Sequence, residues 1–296
     1  MARRPRELPA TPPAGIFTLD EAKAAGISDS LRAPFAVPSR GLRIAPGTAP
    51  EVREILRCHA AVLPDDVAFA RETAAHLHGL PIPLGVDPTR PIHTIRPTST
   101  PPIRRRGVAT HRGAESRDIV TIEGLRVTSP LDTWSDLALR WSRARTLALG
   151  DALLRVHGIT PGEVSTHLSE LDGRRGVRRP RELAPLLRPG SASPKESETR
   201  LLLHDHGLPE PELNGEIFDD WGTWIATSDF VWREPKVVGE YDGDQHRTDR
   251  TAWQYERARR ARLEDCGWTY VELTQAHLSD LSLQGELLRR LRRLLC

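Results

Sequence analysis

Val238-Gly239-Glu240-Tyr241-Asp242-Gly243-Asp244-Gln245-His246, close behind Ser228-Asp229-Phe230-Val231-Trp232, is the stretch on which the fold turns. Both segments are apolar enough for strands, and both carry carboxylates that a strand does not need for packing. Side chains alternate along a strand, so Glu240 and Asp242 point to one face. Working outward, Ser193-Pro194 opens a helix: the serine caps, the proline takes the first turn, and Glu196 and Glu198 favour the positive end of the dipole. That helix runs to about His206, with Gly207 as its stop. Strands are expected over 214–218 and 224–232, joined by a hairpin turn at Asp219-Asp220-Trp221-Gly222, with a third over 236–241. A long helix over 248–265, a fourth strand over 268–273 and a terminal helix over 281–295 complete the order αβββαβ.

That order, with carboxylates on the second and third strands, resembles the restriction-endonuclease-like core of the PD-(D/E)xK nucleases. Ser193-Pro194-Lys195-Glu196-Ser197 and the two stretches quoted first are similar to the very-short-patch-repair-like endonuclease branch, over roughly residues 190 to 280. The resemblance implies a Mg²⁺-dependent, or Mn²⁺-dependent, DNA endonuclease. Asp229 and Glu240 are the expected metal ligands, and Glu196 is carried over as a further ligand or a water-positioning carboxylate. Asp242 can join the cluster, and His246 can serve as general acid or base or position the scissile phosphate. The family's usual lysine, two residues after Glu240, is replaced here by Asp242, although this branch commonly shows ExDG. A substitute cation is expected from Arg250, Arg257 or Lys236, with Arg257 favoured because its helix follows the acidic strand.

The chemistry asks for these residue types on its own account. Phosphodiester hydrolysis adds negative charge to a group already anionic, and a hard divalent ion held by carboxylates offsets it. Taken singly, Asp229 reads equally as a strand cap, Glu240 and Asp242 as a solvated strand end, and His246 as a turn residue. The alternative function is a non-catalytic DNA-binding regulator or antitoxin with an inactive nuclease fold. Arg257, Arg259, Arg260 and Arg262 alternate with acids as in an exposed salt-bridged face, and the Leu-rich, Arg-rich final helix suits packing on its own domain.

The front of the chain differs in composition. Residues 1–190 hold 28 Lys and Arg against 20 Asp and Glu, whereas 191–296 hold 14 against 20, so the net charge of +2 conceals a basic half and an acidic half. Seventeen of the 25 prolines precede residue 131 and five of the seven tryptophans follow 190, which puts the joint at 189–193. Thr18-Leu19-Asp20-Glu21 forms a capping box with Gly26 as stop, Ser28 to Ala33 gives a second short segment, and Arg40 to Ile44 a small strand. Helix, turn, helix and strand make a winged-helix order, in which Arg32, Arg40 and Arg43 would touch phosphates. A helical cap on the next domain is the other reading. Two helices follow between 50 and 80, the second from Asp65 to His78, then strands at 91–96, 107–112 and 118–128 and helices from Pro130. Gly26-Ile27-Ser28, Thr73 to Gly79 and Val127 to Ala138 resemble the AbiEi-like antitoxin regulators, and the two-part combination is similar to an arrangement found in actinobacterial proteins.

The expected class is therefore α+β, with a winged-helix-like segment over 1–48, a mixed region over 49–190 and an endonuclease-like domain over 191–296. His76, His78 and His111 lack metal-ligand spacing and read as surface or satisfied core residues, and Asp132 and Asp136 read as a solvated helix face. Cys58, Cys266 and Cys296 are too few and too far apart for a disulfide framework or a CxxC site, which fits a reducing, cytoplasmic setting. No apolar run approaches 20 residues, and the basic opening stretch has no apolar segment behind it, so neither a membrane span nor a secretory signal is expected. DNA is the expected partner; the sequence assigns neither a protein partner nor a homodimer.

Overall fold

The computed structural model describes residues 15–27, 35–171, 173, 176–242 and 250–296, excepting the side chains of 250–256. The protein is α+β and divides into two compact units, Met1–Leu137 and Ala138–Cys296. Among the described residues no helix is long and apolar enough to cross a membrane.

In the first unit, β1 (Ile16–Thr18) leads directly into α1 (Leu19–Ala24). The capping box forms as the sequence requires, with Glu21 N–H on the Thr18 hydroxyl at 3.1 Å and Thr18 N–H on the Glu21 carboxylate at 2.7 Å. Strand β1 pairs antiparallel with β2 (Leu42–Ile44). The second helix of the expected winged-helix segment, and with it Arg32, lies outside the described residues. Next come α2 (Val52–Ala60), β3 (Ala68–Phe69), α3 (Arg71–Leu77), β4 (Ile92–Arg96), β5 (Val108–Arg112), β6 (Ile119–Ile122), β7 (Leu125–Thr128) and α4 (Pro130–Ala138). Five described strands form one mixed sheet in the order β5-β4-β3-β7-β6. Leu56, Phe69, Ala74, Leu77, Ile92 and Val127 fill its core.

Strand β3 corrects the expected continuous helix from Asp65. Ala68 and Phe69 are claimed by ladders to β4 and β7 on either side, and that pairing overrides the helical preference of an alanine-rich stretch. Asp132 and Asp136 correct a second expectation: both are buried and bind the Arg117 guanidinium, with Asp136 at 2.6 Å. Two of the three histidines singled out, His78 and His111, are satisfied residues. Buried His78 has Nε2 at 2.7 Å from the Thr128 carbonyl, and His111 Nε2 lies 2.9 Å from His93 Nδ1.

The second unit begins with α5 (Arg143–His157), α6 (Pro161–Glu170) and α7 (Arg178–Leu183) and continues as α8 (Pro194–Asp205), β8 (Glu212–Phe218), β9 (Trp224–Trp232), β10 (Val237–Asp242), α9 (Arg250–Asp265), β11 (Thr269–Thr274), α10 (Gln275–Ser279) and α11 (Leu281–Leu295). From α8 to β11 the order is αβββαβ. The described strands form one sheet in the order β11-β10-β9-β8. Strands β10 and β11 are parallel, and α9 supplies the crossover that parallel pairing needs. Each face of the sheet is covered. Phe230, Trp232, Val271 and Leu273 pack with Leu203 of α8 and Leu287, Leu288 and Leu291 of α11. Val231, Val238 and Trp268 pack with Leu263 of α9. Helix α11 is therefore a packing helix, with Arg289, Arg290, Arg292 and Arg293 exposed.

The two compact units meet between Leu137 and Ala138. Gly190 sits in a turn close to β8: a Cβ on it would meet Leu213 Cβ at 3.0 Å, and Ser191 is buried. Helix α5 packs along α8, and the buried Arg200 guanidinium reaches Asp151 at 2.8 Å.

Candidate functional site

Strands β9 and β10 hold the site because their ladder ends where the carboxylates begin. The pairs run Val237 with Trp232, Val238 with Val231 and Gly239 with Phe230. Beyond them the Tyr241 N–H donates at 2.8 Å to Asp229 Oδ2, so a side chain, not the neighbouring backbone, receives it. Gly239 at the last pair leaves little room for a side chain, since a Cβ there would lie 3.1 Å from Leu273 Cδ1.

Glu240 is held on three sides. Its Oε1 accepts from the Ser228 hydroxyl at 2.7 Å, and its Oε2 accepts from the Tyr270 hydroxyl at 3.3 Å and pairs with the Arg259 guanidinium. Both members of that ion pair are largely buried, at 15% and 12% side-chain exposure, which separates it from the solvent-screened pairs elsewhere on the surface. Glu196 follows the Ser193 cap, whose hydroxyl accepts its N–H at 3.2 Å. Its own Oε2 accepts from Ala192 N–H at 2.7 Å and from the Asn214 amide at 3.0 Å. The carboxylate thus closes the turn before α8 while its charge still reaches the strands.

Asp229 feels the sum of these charges. Burial raises its carboxyl, the Tyr241 N–H opposes the rise, the negative charges of Glu196 and Glu240 add to it and Arg259 subtracts, leaving it pushed up to about 6. A carboxyl so placed is short of positive charge. Perturbation of this kind occurs at functional sites and also in structural ion-pair networks.

The other expected members divide. Asp242 stands exposed at the end of β10, opposite Thr274. His246 and the side chain of Arg250 lie outside the described residues. Lys236 donates to the Cys266 carbonyl at 3.2 Å at the opposite end of β10, and Arg257 is exposed. The cation at the acidic pair is Arg259, which sequence reasoning assigned to an exposed face. Its position one helical turn before the buried Leu263 is the signal that places it toward the sheet. In the first unit Arg40 is exposed, whereas Arg43 Nη1 folds back onto the Leu42 carbonyl at 2.8 Å.

Among the described residues no group of three or more His, Cys, Asp and Glu side chains is arranged to hold a metal ion. Asp229 and Glu240 are the carboxylates that a divalent ion would use here, and both Glu240 oxygens already accept hydrogen bonds. An Arg259→Met substitution is expected to lower the unfolding free energy by about 1–2 kcal/mol in urea melts, because Glu240 keeps its two hydroxyl donors but loses its cation.

The second unit is thus an α+β layered domain carrying buried acids where two central strands part. The chain is 32% identical over 204 residues to two uncharacterized proteins, MT2308 and Rv2248, from two strains of Mycobacterium tuberculosis, across 68% of this chain and 72% of each relative. It belongs to the family of those mycobacterial proteins. No protein-family model matches the sequence. The crystal structure of the RV2827C protein from Mycobacterium tuberculosis is similar at a TM-score of 0.39 and 17% identity, over 69% of this chain and 83% of that one.

Proposed function

We propose that the second unit is a Mg²⁺-dependent or Mn²⁺-dependent DNA endonuclease of the PD-(D/E)xK type, in the very-short-patch-repair-like branch, and that the first unit is a DNA-binding or regulatory half similar to AbiEi-like antitoxins. The observation that carries the nuclease reading is the Asp229 carboxyl, raised to about 6 beside Glu240 and Glu196 where β9 and β10 separate. Asp229 and Glu240 would hold the ion, with Glu196 adding negative charge. The ion when bound neutralises phosphoryl charge and activates water.

The chain's own groups perform the rest. Ser228 and Tyr270 fix the rotamer of Glu240, and the Tyr241 N–H fixes Asp229, so both acids are oriented before substrate arrives. Arg259 brings positive charge to Glu240 and would stand in for the lysine that Asp242 replaces. Hydrolysis joins a water oxygen to phosphorus and breaks one bridging P–O bond, leaving a phosphomonoester end and a hydroxyl end.

Supercoiled plasmid incubated with the full chain and Mg²⁺ or Mn²⁺ tests this. Nicking is expected with the wild type, abolished by chelator and by Asp229→Ala, while Asp229→Ala still retains DNA in a filter assay. Cleavage indifferent to both chelator and Asp229 overturns it. The Arg259–Glu240 ion pair favours a second reading, a non-catalytic DNA-binding regulator in which the arginine fills the cation position. On that reading neither metal nor Asp229→Ala changes any activity.

A further inference from the structure

The loop between β4 and β5 carries Arg104, Arg105 and Arg106 in succession, and the fold brings them beside Arg40. Together with Ala61, Val62, Leu63, Pro64 and Ile103 they line an open groove of about 560 Å³. Arg40, Arg104 and Arg106 are exposed, and Arg105 is half-buried. Arg105 acts as the brace: its guanidinium donates to the Arg40 carbonyl and, at 2.9 Å, to the Val62 carbonyl, tying the loop to the turn before β2 and to the end of α2. The Ser39 hydroxyl donates to the Arg106 carbonyl at 3.1 Å and fixes the loop a second time.

Three features define what fits. No acidic side chain lines the groove among the described residues. Like charge has been gathered at a cost, since burial and the neighbouring Arg40 both depress the Arg105 guanidinium from its usual value. Among the described residues the walls contain no aromatic ring to stack a base, which favours a run of phosphates as the matching ligand.

We propose that the groove bordered by Arg40, Arg104, Arg105 and Arg106 binds the phosphate backbone of duplex DNA. DNA as the polyanion rests on the nuclease reading of the second unit; the groove itself stands on its geometry. Arg104 and Arg106 reach phosphates from the loop, Arg40 from the β2 turn, and Arg105 holds these elements together. Contacts of this kind give affinity without sequence preference, and they weaken steeply with salt.

The test is fluorescence anisotropy of the full chain with a labelled duplex, in chelator so that nothing is cut, across a salt series. For an Arg104→Glu/Arg106→Glu variant, affinity is expected to fall at least about tenfold, and the slope of log K against log salt to flatten by about two, near 0.9 per lost phosphate contact. Arg104→Gln/Arg106→Gln, whose fold is checked by circular dichroism, is expected to show the same flattening with a smaller fall. Arg289→Glu/Arg293→Glu, on exposed α11, is the control for net charge and is expected to bind like wild type. Unchanged affinity and slope in the groove variants, an equal loss in the α11 control, or retention of inorganic phosphate without duplex binding each overturns the proposal. Groove binding is read in chelator and the nuclease reading by metal-dependent nicking, so failure of the groove and failure of the nuclease reading are separate results.

Discussion

Asp229→Asn should make the protein more stable at neutral pH and unable to cut DNA. The folded-state pKa of about 6 stands roughly two units above the ordinary value of 3.8. Between those values the native state holds a proton that the unfolded chain releases, so this group's contribution to stability falls as pH rises through the window. At pH 7.5 the ionised carboxylate therefore costs about 2–3 kcal/mol, at about 1.4 kcal/mol per unit. An asparagine keeps the oxygen that accepts from Tyr241 N–H and removes the charge beside Glu196 and Glu240. In metal-free urea melts the variant should exceed wild type by most of that amount at pH 7.5 and match it near pH 4. Taking the difference between the two proteins matters, because acids such as Asp66 and Glu212, lowered by Arg96 and Arg233, have the opposite pH dependence and cancel. Divalent metal adds a second discriminator. Mn²⁺ should raise the wild-type melting temperature more at pH 7.5 than at pH 5.5, where protons compete for Asp229, and should leave the asparagine variant unmoved. A variant no more stable than wild type would mean that the carboxylate is not short of positive charge, and the case for a cation site would go with it.

The elements that were legible in the sequence are those that local pattern determines. Residues 224–232 and 281–295 are a strand and a helix at the expected limits, and the Thr18 and Ser193 caps sit where the sequence puts them. What was hidden depends on partners far along the chain. Ala68 and Phe69 become a strand only because β4 and β7 flank them. Asp132 and Asp136 look solvated until Arg117 is folded against them. Arg259 was obscured by composition: in a helix crowded with arginines, the turn-spaced relation to Leu263 mattered and the count did not. The acids themselves were visible, but Asp229 is raised by burial and by charges arriving from two separate elements, α8 and β10, which spacing alone cannot measure.

Arg200→Met should cost about 3–5 kcal/mol, because it leaves a buried carboxylate without its cation. Arg200 and Asp151 are nearly inaccessible, at 3% and 1% side-chain exposure, and the guanidinium reaches both carboxylate oxygens, at 3.0 and 2.8 Å. Burial already raises the Asp151 carboxyl, with Arg200 and the Arg188 N–H acting against the rise. Without Arg200 its folded pKa climbs further above the unfolded value, so the deficit should be larger at pH 8 than at pH 5. Pairing Arg200→Met with Asp151→Leu should recover most of the loss, since two apolar groups leave no buried charge unmatched. The same pair bears on the unit boundary. Helix α8 turns Leu203 toward Phe230 and the sheet, and Arg200 toward α5, so it belongs to both layers. A chain beginning at residue 191 lacks Asp151 and leaves Arg200 without its partner, and it should melt well below a chain beginning at residue 138. Equal melting of the two, followed by circular dichroism, would make 191–296 an independent domain and reduce α5 to an ornament on its surface.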